Sequence, residues 1–108
     1  MSRKIIVRVP VEVVVRDRDV RLLVTLLDMG GKRRKPVKVS LSTLAESLES
    51  TLDTTRRAIK ACSDEGYLVV QENYLENGTQ LENTYRLTQQ GLTLALAAQD
   101  SGVLAATA

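Results

Sequence analysis

The first sixteen residues show the two-residue alternation of a β-strand. Within residues 5–15, valine occupies every odd position from Val7 to Val15. β-Branched residues at this period predict a strand with one apolar face. Pro10 cannot donate to a sheet ladder, which favours an edge strand or a bend. Two interpretations stay open: an arm that pairs with a strand of a second subunit, or a strand packed within its own domain.

Helical spacing replaces the alternation after residue 16. A core stripe and a second apolar face predict a helix that is buried on two sides. The stripe consists of Val20, Leu23, Val24 and Leu27, and the second face of Leu22 and Leu26. Asp17 or Asp19 is expected to cap this helix, and Gly30–Gly31 to end it.

The next two helices are short and closely spaced. An extended stretch from Pro36 to Val39 leads to Ser40, which is expected to cap a helix over SLSTLAESL. Thr51 then caps a second helix that ends near Gly66. The inward faces are Leu41, Leu44, Ala45 and Leu48 in the first helix, and Thr55, Ile59 and Cys62 in the second. Two capped helices joined by about three residues predict a helix-turn-helix.

A hairpin and a last helix complete the pattern. Residues 67–71 and 83–87 are the predicted strands, and Asn77-Gly78 between them is a strong turn signal. Thr88 caps the helix that follows, with Leu92, Ala95, Leu96 and Gln99 in register. The order predicts an α+β winged helix-turn-helix, a three-helix core plus a β-hairpin wing, with an added N-terminal strand and C-terminal helix. Its expected divisions are an arm (1–16), the winged domain (17–100) and a flexible tail (101–108).

Composition argues against catalysis. The chain of 108 residues has no His and one Cys, so it lacks the commonest general base and metal ligand and forms no internal disulfide. We therefore expect no enzyme, no cofactor and no metal. No apolar run reaches the roughly 18 residues that span a bilayer, and the N-terminus does not read as a signal peptide. A cytoplasmic protein without a membrane partner is expected.

Charge is unevenly distributed although the net value is only +2. No acidic residue occurs from Met29 to Ala45, and no basic one from Asp64 to Glu82. The basic segment carries Lys32, Arg33, Arg34, Lys35 and Lys38, and the acidic one Asp64, Glu65, Glu72, Glu76 and Glu82. The first segment can meet a polyanion and the second resists one.

A set of motifs extends over roughly residues 18–97. They are Leu44-Ala45-Glu46-Ser47-Leu48, Thr51, Thr54-Thr55-Arg56-Arg57-Ala58-Ile59, Glu65-Gly66-Tyr67-Leu68 and the later YRLTQQGLTLAL. This set resembles the winged helix-turn-helix of MarR-like, GntR-like and PadR-like regulators. The resemblance implies sequence-specific binding to double-stranded DNA, by a recognition helix at about residues 52–65. It also implies a homodimer that regulates transcription and is associated with the nucleoid.

Helical geometry independently selects the residues that face outward. At about 100° per residue, Asp53, Arg56, Arg57 and Lys60 form a polar strip opposite the apolar face. Thr54 and Arg56 are expected to read bases, and Arg57 and Lys60 to contact phosphate. Further candidates are the helix-start hydroxyls Ser40, Ser42 and Thr51, for which capping alone is an equal explanation, and the basic loop Lys32, Arg33, Arg34 and Lys35.

Two positions depart from the family pattern. Glu49 stands where the turn usually has Gly, so the turn geometry is expected to differ. The predicted wing carries Glu72, Glu76 and Glu82 instead of Arg or Lys, so it either stands off the DNA or contacts a protein. The alternatives to a transcriptional regulator are therefore a winged-helix protein–protein adaptor, or a DNA-binding protein of episome or phage replication or partition. Cys62 is expected to be a core residue rather than a redox sensor.

Overall fold

A computed structural model describes residues 4–9, 11–31 and 33–101 of the chain. Nine elements follow one another among these residues: β1 (Lys4–Val9), β2 (Val11–Arg16), α1 (Asp17–Gly30), β3 (Val37–Val39), α2 (Leu41–Ser47), α3 (Leu52–Asp64), β4 (Leu68–Gln71), β5 (Asn83–Leu87) and α4 (Gln89–Ser101). An antiparallel sheet has the order β3–β5–β4, and β1 pairs with β2 alone. The predicted α+β winged helix-turn-helix is confirmed. The residues of the predicted tail beyond Ser101 lie outside the described part of the chain.

The N-terminal segment is a hairpin, so the prediction of one strand is wrong. β1 and β2 pair in an antiparallel register that sets Val7 opposite Val13 and Ile6 opposite Val14. Val7 is buried, whereas Ile6 and Val14 are exposed by 54% and 63%. The chain therefore turns back between Val9 and Val11, and both strands share one inward face.

Helix α1 lies at the centre of the core. Both predicted faces are buried, from Val20 and Leu22 to Leu26 and Leu27, and the helix packs against α3, α4 and strands of both sheets. The predicted aspartate cap is wrong, because β2 runs directly into the helix and Arg16 occupies the N-cap position without a side-chain bond. Asp17 instead accepts a hydrogen bond from Arg21, at 2.8 Å. A carboxylate in the first turn still favours the helix through its dipole.

Helix α4 closes the core from the other side, in a register that differs from the predicted one. Its buried positions are Gly91, Leu94, Ala95 and Ala98, whereas Leu92 and Leu96 are half-buried and Gln99 is exposed. Gln99 donates a hydrogen bond of 2.9 Å to Asp28 of α1. The predicted cap is confirmed, because the Thr88 hydroxyl accepts from the Gly91 N–H at 3.1 Å.

Candidate nucleic-acid interface

Two hydroxyl caps build the helix-turn-helix as predicted. Ser40 accepts the backbone N–H of Thr43 at 3.1 Å, and Thr51 accepts that of Thr54 at 3.0 Å. Each cap satisfies one backbone donor that the helix itself leaves unpaired. Thr51 also donates to the Thr54 hydroxyl at 3.0 Å. The cap bonds account for Ser40 and Thr51 locally, and they fix where each helix begins.

The turn between the helices keeps the conformation that glycine usually supplies. Glu49 has a φ of 51°, in the left-handed region. The N–H of Ser50 reaches back to the carbonyl of Ala45 at 3.0 Å, the long hydrogen bond of a Schellman helix ending. The expectation of a different turn geometry at Glu49 is therefore wrong: the turn is standard and the residue is strained.

Helix α3 buries its predicted inner face and presents its charged strip to solvent. Thr55, Ala58 and Cys62 are buried, and Ile59 is half-buried. Arg57 pairs with Asp53 at 3.2 Å, and their side chains are 68% and 69% exposed. Lys60 pairs with Asp64 at 3.1 Å and is also exposed. Such exposed pairs on one helix contribute little stability, so both cations remain available to a stronger anion.

Arg56 lies on the edge of this strip that faces the wing, the hairpin of β4 and β5. A groove of about 770 Å³ separates α3 from the wing. Arg56, Lys60 and Ser63 line it from the helix, and Glu72 and Glu82 from the wing. We call it the α3–wing groove. Within the described part of the chain, no ion pair joins its two walls, so Arg56 is not neutralised by the hairpin.

The acidity of the wing could be predicted from the sequence, but the position of Glu72 and Glu82 opposite α3 could not. Their closeness to each other follows from strand register, since Gln71 pairs with Thr84. The Glu72 carboxylate accepts a short hydrogen bond of 2.5 Å from the Tyr74 hydroxyl, which raises the pKa of Tyr74. Only the packing of the wing against α3 brings these carboxylates to the groove.

The wing turn at Asn77-Gly78 is confirmed, with one difference in detail. Gly78 adopts a positive φ of 87°, whereas Asn77 does not. Asn77 instead accepts the Thr79 N–H on its side chain at 3.0 Å. Tyr74 and Leu75 flank this turn and are 54% and 49% exposed. The wing tip is therefore both apolar and acidic.

The basic loop lies at the other end of β3 from α3. Arg34 borders Leu96 and Gln99 of α4, and both Arg34 and Lys35 border Leu87 at the end of β5. Ser40, at the far end of β3, borders Arg56 instead. Arg33, Arg34 and Lys35 are exposed, and Lys32 lies outside the described residues. Ser42 is exposed in the first turn of α2, with its hydroxyl 3.4 Å from that of Ser40.

Cys62 is a core residue, as predicted. Its side chain is 1% exposed, and the thiol donates to the Asp19 carbonyl at 3.6 Å. Burial raises the pKa of the Cys62 thiol and also that of the Asp19 carboxyl. A thiol that resists ionisation is a poor nucleophile and a poor redox centre.

Comparison by sequence gives no relative: neither a family model nor a curated protein matches the chain. Among the residues that the structure describes, no three His, Cys, Asp or Glu side chains lie close enough together to hold a metal ion. No helix in this part of the chain is long and apolar enough to cross a membrane.

Solved structures, in contrast, match most of the chain. A candidate DNA-binding protein from Ralstonia eutropha JMP134 superposes with a TM-score of 0.55 at 25% identity, over 79% of this chain and 95% of that one. A candidate transcriptional regulator from Thermoplasma acidophilum gives 0.59 at 17% identity, over 83% and 86%. ZitR, a zinc-responsive MarR family member from Lactococcus lactis, gives 0.58 at 14% identity, over 88% and 60%.

Several other matched proteins are longer. The chain spans about half the length of RV1404 from Mycobacterium tuberculosis, 50%, and of the MarR family transcription regulator SP03579, 53%. The matched proteins named by role are DNA-binding proteins and transcriptional regulators. The chain thus has the winged helix-turn-helix fold that these regulators share.

Proposed function

We propose that the chain binds double-stranded DNA in a sequence-specific manner through α3 and regulates transcription as a homodimer. The observation that carries the proposal is the position of Arg56, Arg57 and Lys60. All three are exposed on the outer face of the second helix of a helix-turn-helix. An α-helix fits the major groove of B-DNA, where arginine binds guanine in a bidentate pair.

The roles assigned to α3 follow from its geometry. The first turns of a recognition helix reach the base edges, which gives Thr54 and Arg56 the base contacts. Arg57 and Lys60 lie further along the helix than Thr54 and Arg56, and they contact phosphates after leaving Asp53 and Asp64. Asp53 then remains to accept a hydrogen bond from cytosine or to hold Arg57 in place.

Two further effects outside α3 favour DNA: phosphate contacts at the helix starts, and long-range attraction by the basic loop. Ser40, Ser42 and Thr51 lie where free backbone N–H groups can meet phosphate oxygens. Arg34 and Lys35 lie away from the α3 surface, and together with Lys32 and Arg33 of the same basic loop they contribute non-specific, salt-sensitive attraction.

A homodimer would place two α3 helices on a two-fold symmetric site, with half-sites about 34 Å apart. Helix α1 has both apolar faces buried within one chain, so it does not offer an apolar face to a second copy. The N-terminal hairpin retains Ile6 and Val14 exposed on its outer face, and α4 retains the half-buried Leu92 and Leu96. The hairpin is therefore the favoured dimer element. A cytoplasmic, nucleoid-associated regulator fits this proposal, as does a replication or partition factor of an episome or phage.

The test is a double substitution, Arg56→Ala with Arg57→Ala. A cognate site is first selected from a random DNA pool with the unmodified protein, and the affinity of each variant for it is measured. We expect a loss on the order of a hundredfold, because Arg56→Ala removes a base contact of about 1–3 kcal/mol and Arg57→Ala removes a phosphate contact in addition. Arg21→Ala with Arg86→Ala removes the same charge elsewhere and should cost much less. Unchanged affinity in the α3 double variant would contradict the proposal.

A protein–protein adaptor is the second candidate function, favoured by one observation. Exposed Tyr74 and Leu75 lie beside Glu72 and Glu76 at the wing tip, a combination that suits a protein partner better than phosphate. Titration with random duplex DNA at two salt concentrations separates the candidates. DNA binding gives an affinity that falls steeply with salt, and an adaptor gives almost no binding at either concentration.

A further inference from the structure

The two walls of the α3–wing groove carry opposite charges. Arg56, Lys60 and Asp64 line it from the helix, two cations against one carboxylate, and Glu72 and Glu82 line it from the wing. No Lys or Arg occurs from residue 65 to residue 85, and Arg86 of β5 does not line the groove, so the wing wall of the groove has no cation to offset its carboxylates. A phosphate that entered the groove to reach Arg56 or Lys60 would also approach Glu72 and Glu82.

We propose that Glu72 and Glu82 are specificity-determining residues. They keep the DNA backbone out of the α3–wing groove and so weaken binding to non-cognate DNA more than binding to a cognate site. The inference rests on the proposed function, since it concerns how the same surface distinguishes between DNA sequences.

The selectivity arises because the two binding modes differ in geometry. In a cognate complex, base contacts fix the position of the duplex, and the wing can stand clear of the backbone. Non-specific binding depends on charge alone, and the backbone samples every orientation that brings phosphates near cations. Orientations that direct phosphates into the groove are penalised by the two carboxylates. The penalty therefore falls mainly on the non-specific complexes.

The experiment compares the unmodified protein with Glu72→Gln/Glu82→Gln on random duplex and on the selected cognate site. We expect the affinity for random duplex to rise about tenfold and that for the cognate site to rise less than about threefold. The slope of log K against log salt on random duplex should steepen by about one, because a phosphate newly admitted to the groove releases about one more counterion. Glu82→Gln alone should give part of the gain, and it leaves the Glu72–Tyr74 hydrogen bond intact.

Glu65→Gln/Glu76→Gln is the matched control. Both of its residues are exposed, neither lines the groove, and the change in net charge is the same. An equal gain in this control, an equal gain on both DNAs, or no gain at all would overturn the selectivity proposal while leaving DNA binding in place. Failure of the unmodified protein to bind any duplex would instead overturn the proposed function.

Discussion

At the scale of single residues, the helices α2 and α3 end with the same motif built on different residues. In α3, Gly66 has a φ of 80°, and the N–H of Tyr67 reaches back to the Cys62 carbonyl at 2.9 Å. In α2, Glu49 adopts the corresponding conformation with a φ of 51°. A side chain in the left-handed region costs about 1–2 kcal/mol, whereas glycine adopts it freely.

Glu49→Gly is therefore expected to stabilise the protein. The relief of strain exceeds the entropy that glycine adds to the unfolded chain, which leaves a gain of about 0.5–1 kcal/mol in the free energy of unfolding. Urea denaturation measures it. The control is Glu46→Gly within α2, which should destabilise the protein by about 1 kcal/mol. A loss of stability in Glu49→Gly would show that the Glu49 side chain makes a contact that outweighs the strain.

Local signals made several of these residues predictable. Ser40, Thr51 and Thr88 each cap the helix that the sequence predicted for them. A hydroxyl residue just before a helical pattern bonds to the first turn of that same helix, so the cap can be predicted without knowledge of tertiary contacts. Asp17 and Asp19 carry the same signal but do not cap, because the preceding strand leaves no loop between Arg16 and the helix.

At the scale of elements, the packing of α4 depends on Gly91, whose role the sequence pattern did not indicate. A Cβ built on Gly91 would lie 2.0 Å from the carbonyl oxygen of Tyr67. The same junction is held by Thr88, whose hydroxyl donates to the Gly66 carbonyl at 2.6 Å. The start of α4 therefore lies directly against the backbone that leads from α3 into the wing.

Gly91→Ala should destabilise the protein by about 2–3 kcal/mol, because α4 must move away from rigid backbone. The better helix propensity of alanine offsets only about 1 kcal/mol of that strain. Thermal unfolding provides the measurement, and Gln89→Ala in the exposed first turn should change stability by less than about 0.5 kcal/mol. Equal stability of Gly91→Ala and the unmodified protein would contradict this packing of α4.

Two errors at this scale have physical causes. In the N-terminal hairpin, odd-numbered residues pair with odd-numbered ones, as Val7 with Val13. The alternation therefore continues across the turn, and a hairpin has the same pattern as one long strand. In α4, the segment LTLALAA is apolar almost throughout. Several helical registers fit it equally well, and only contact with α1 selects Leu94 and Ala98.

At the scale of the whole molecule, the arrangement of the charged surfaces depends on packing between elements, which no local sequence pattern predicts. The strip on α3 could be predicted from helical period, because Arg56, Arg57 and Lys60 lie opposite a buried face. The groove between Arg56 and Glu82 could not, since it depends on how the wing packs against α3. Likewise, the basic loop follows α1 closely in sequence, yet Arg34 lies beside α4.

The proposed homodimer gives a prediction at this same scale. Ile6 and Val14 face each other across the hairpin and form an exposed apolar pair. In a two-fold dimer, this pair could meet its own copy, so that both chains bury the same surface. Ile6→Glu with Val14→Glu would place four like charges there and should lower the mass in sedimentation from twice 11.9 kDa to 11.9 kDa.

Val69→Glu serves as the control, since Val69 is an exposed strand valine of the other sheet, and this variant should remain dimeric. Because the substituted hairpin residues are exposed, the monomer should stay folded, with its α3 surface unchanged. Its affinity for a single half-site should then match that of the unmodified protein, while its affinity for the full two-fold site falls, because one chain can no longer bring the second to the DNA. A glutamate double variant that stays dimeric would place the two-fold axis away from the hairpin, and α4 would become the remaining apolar surface to test.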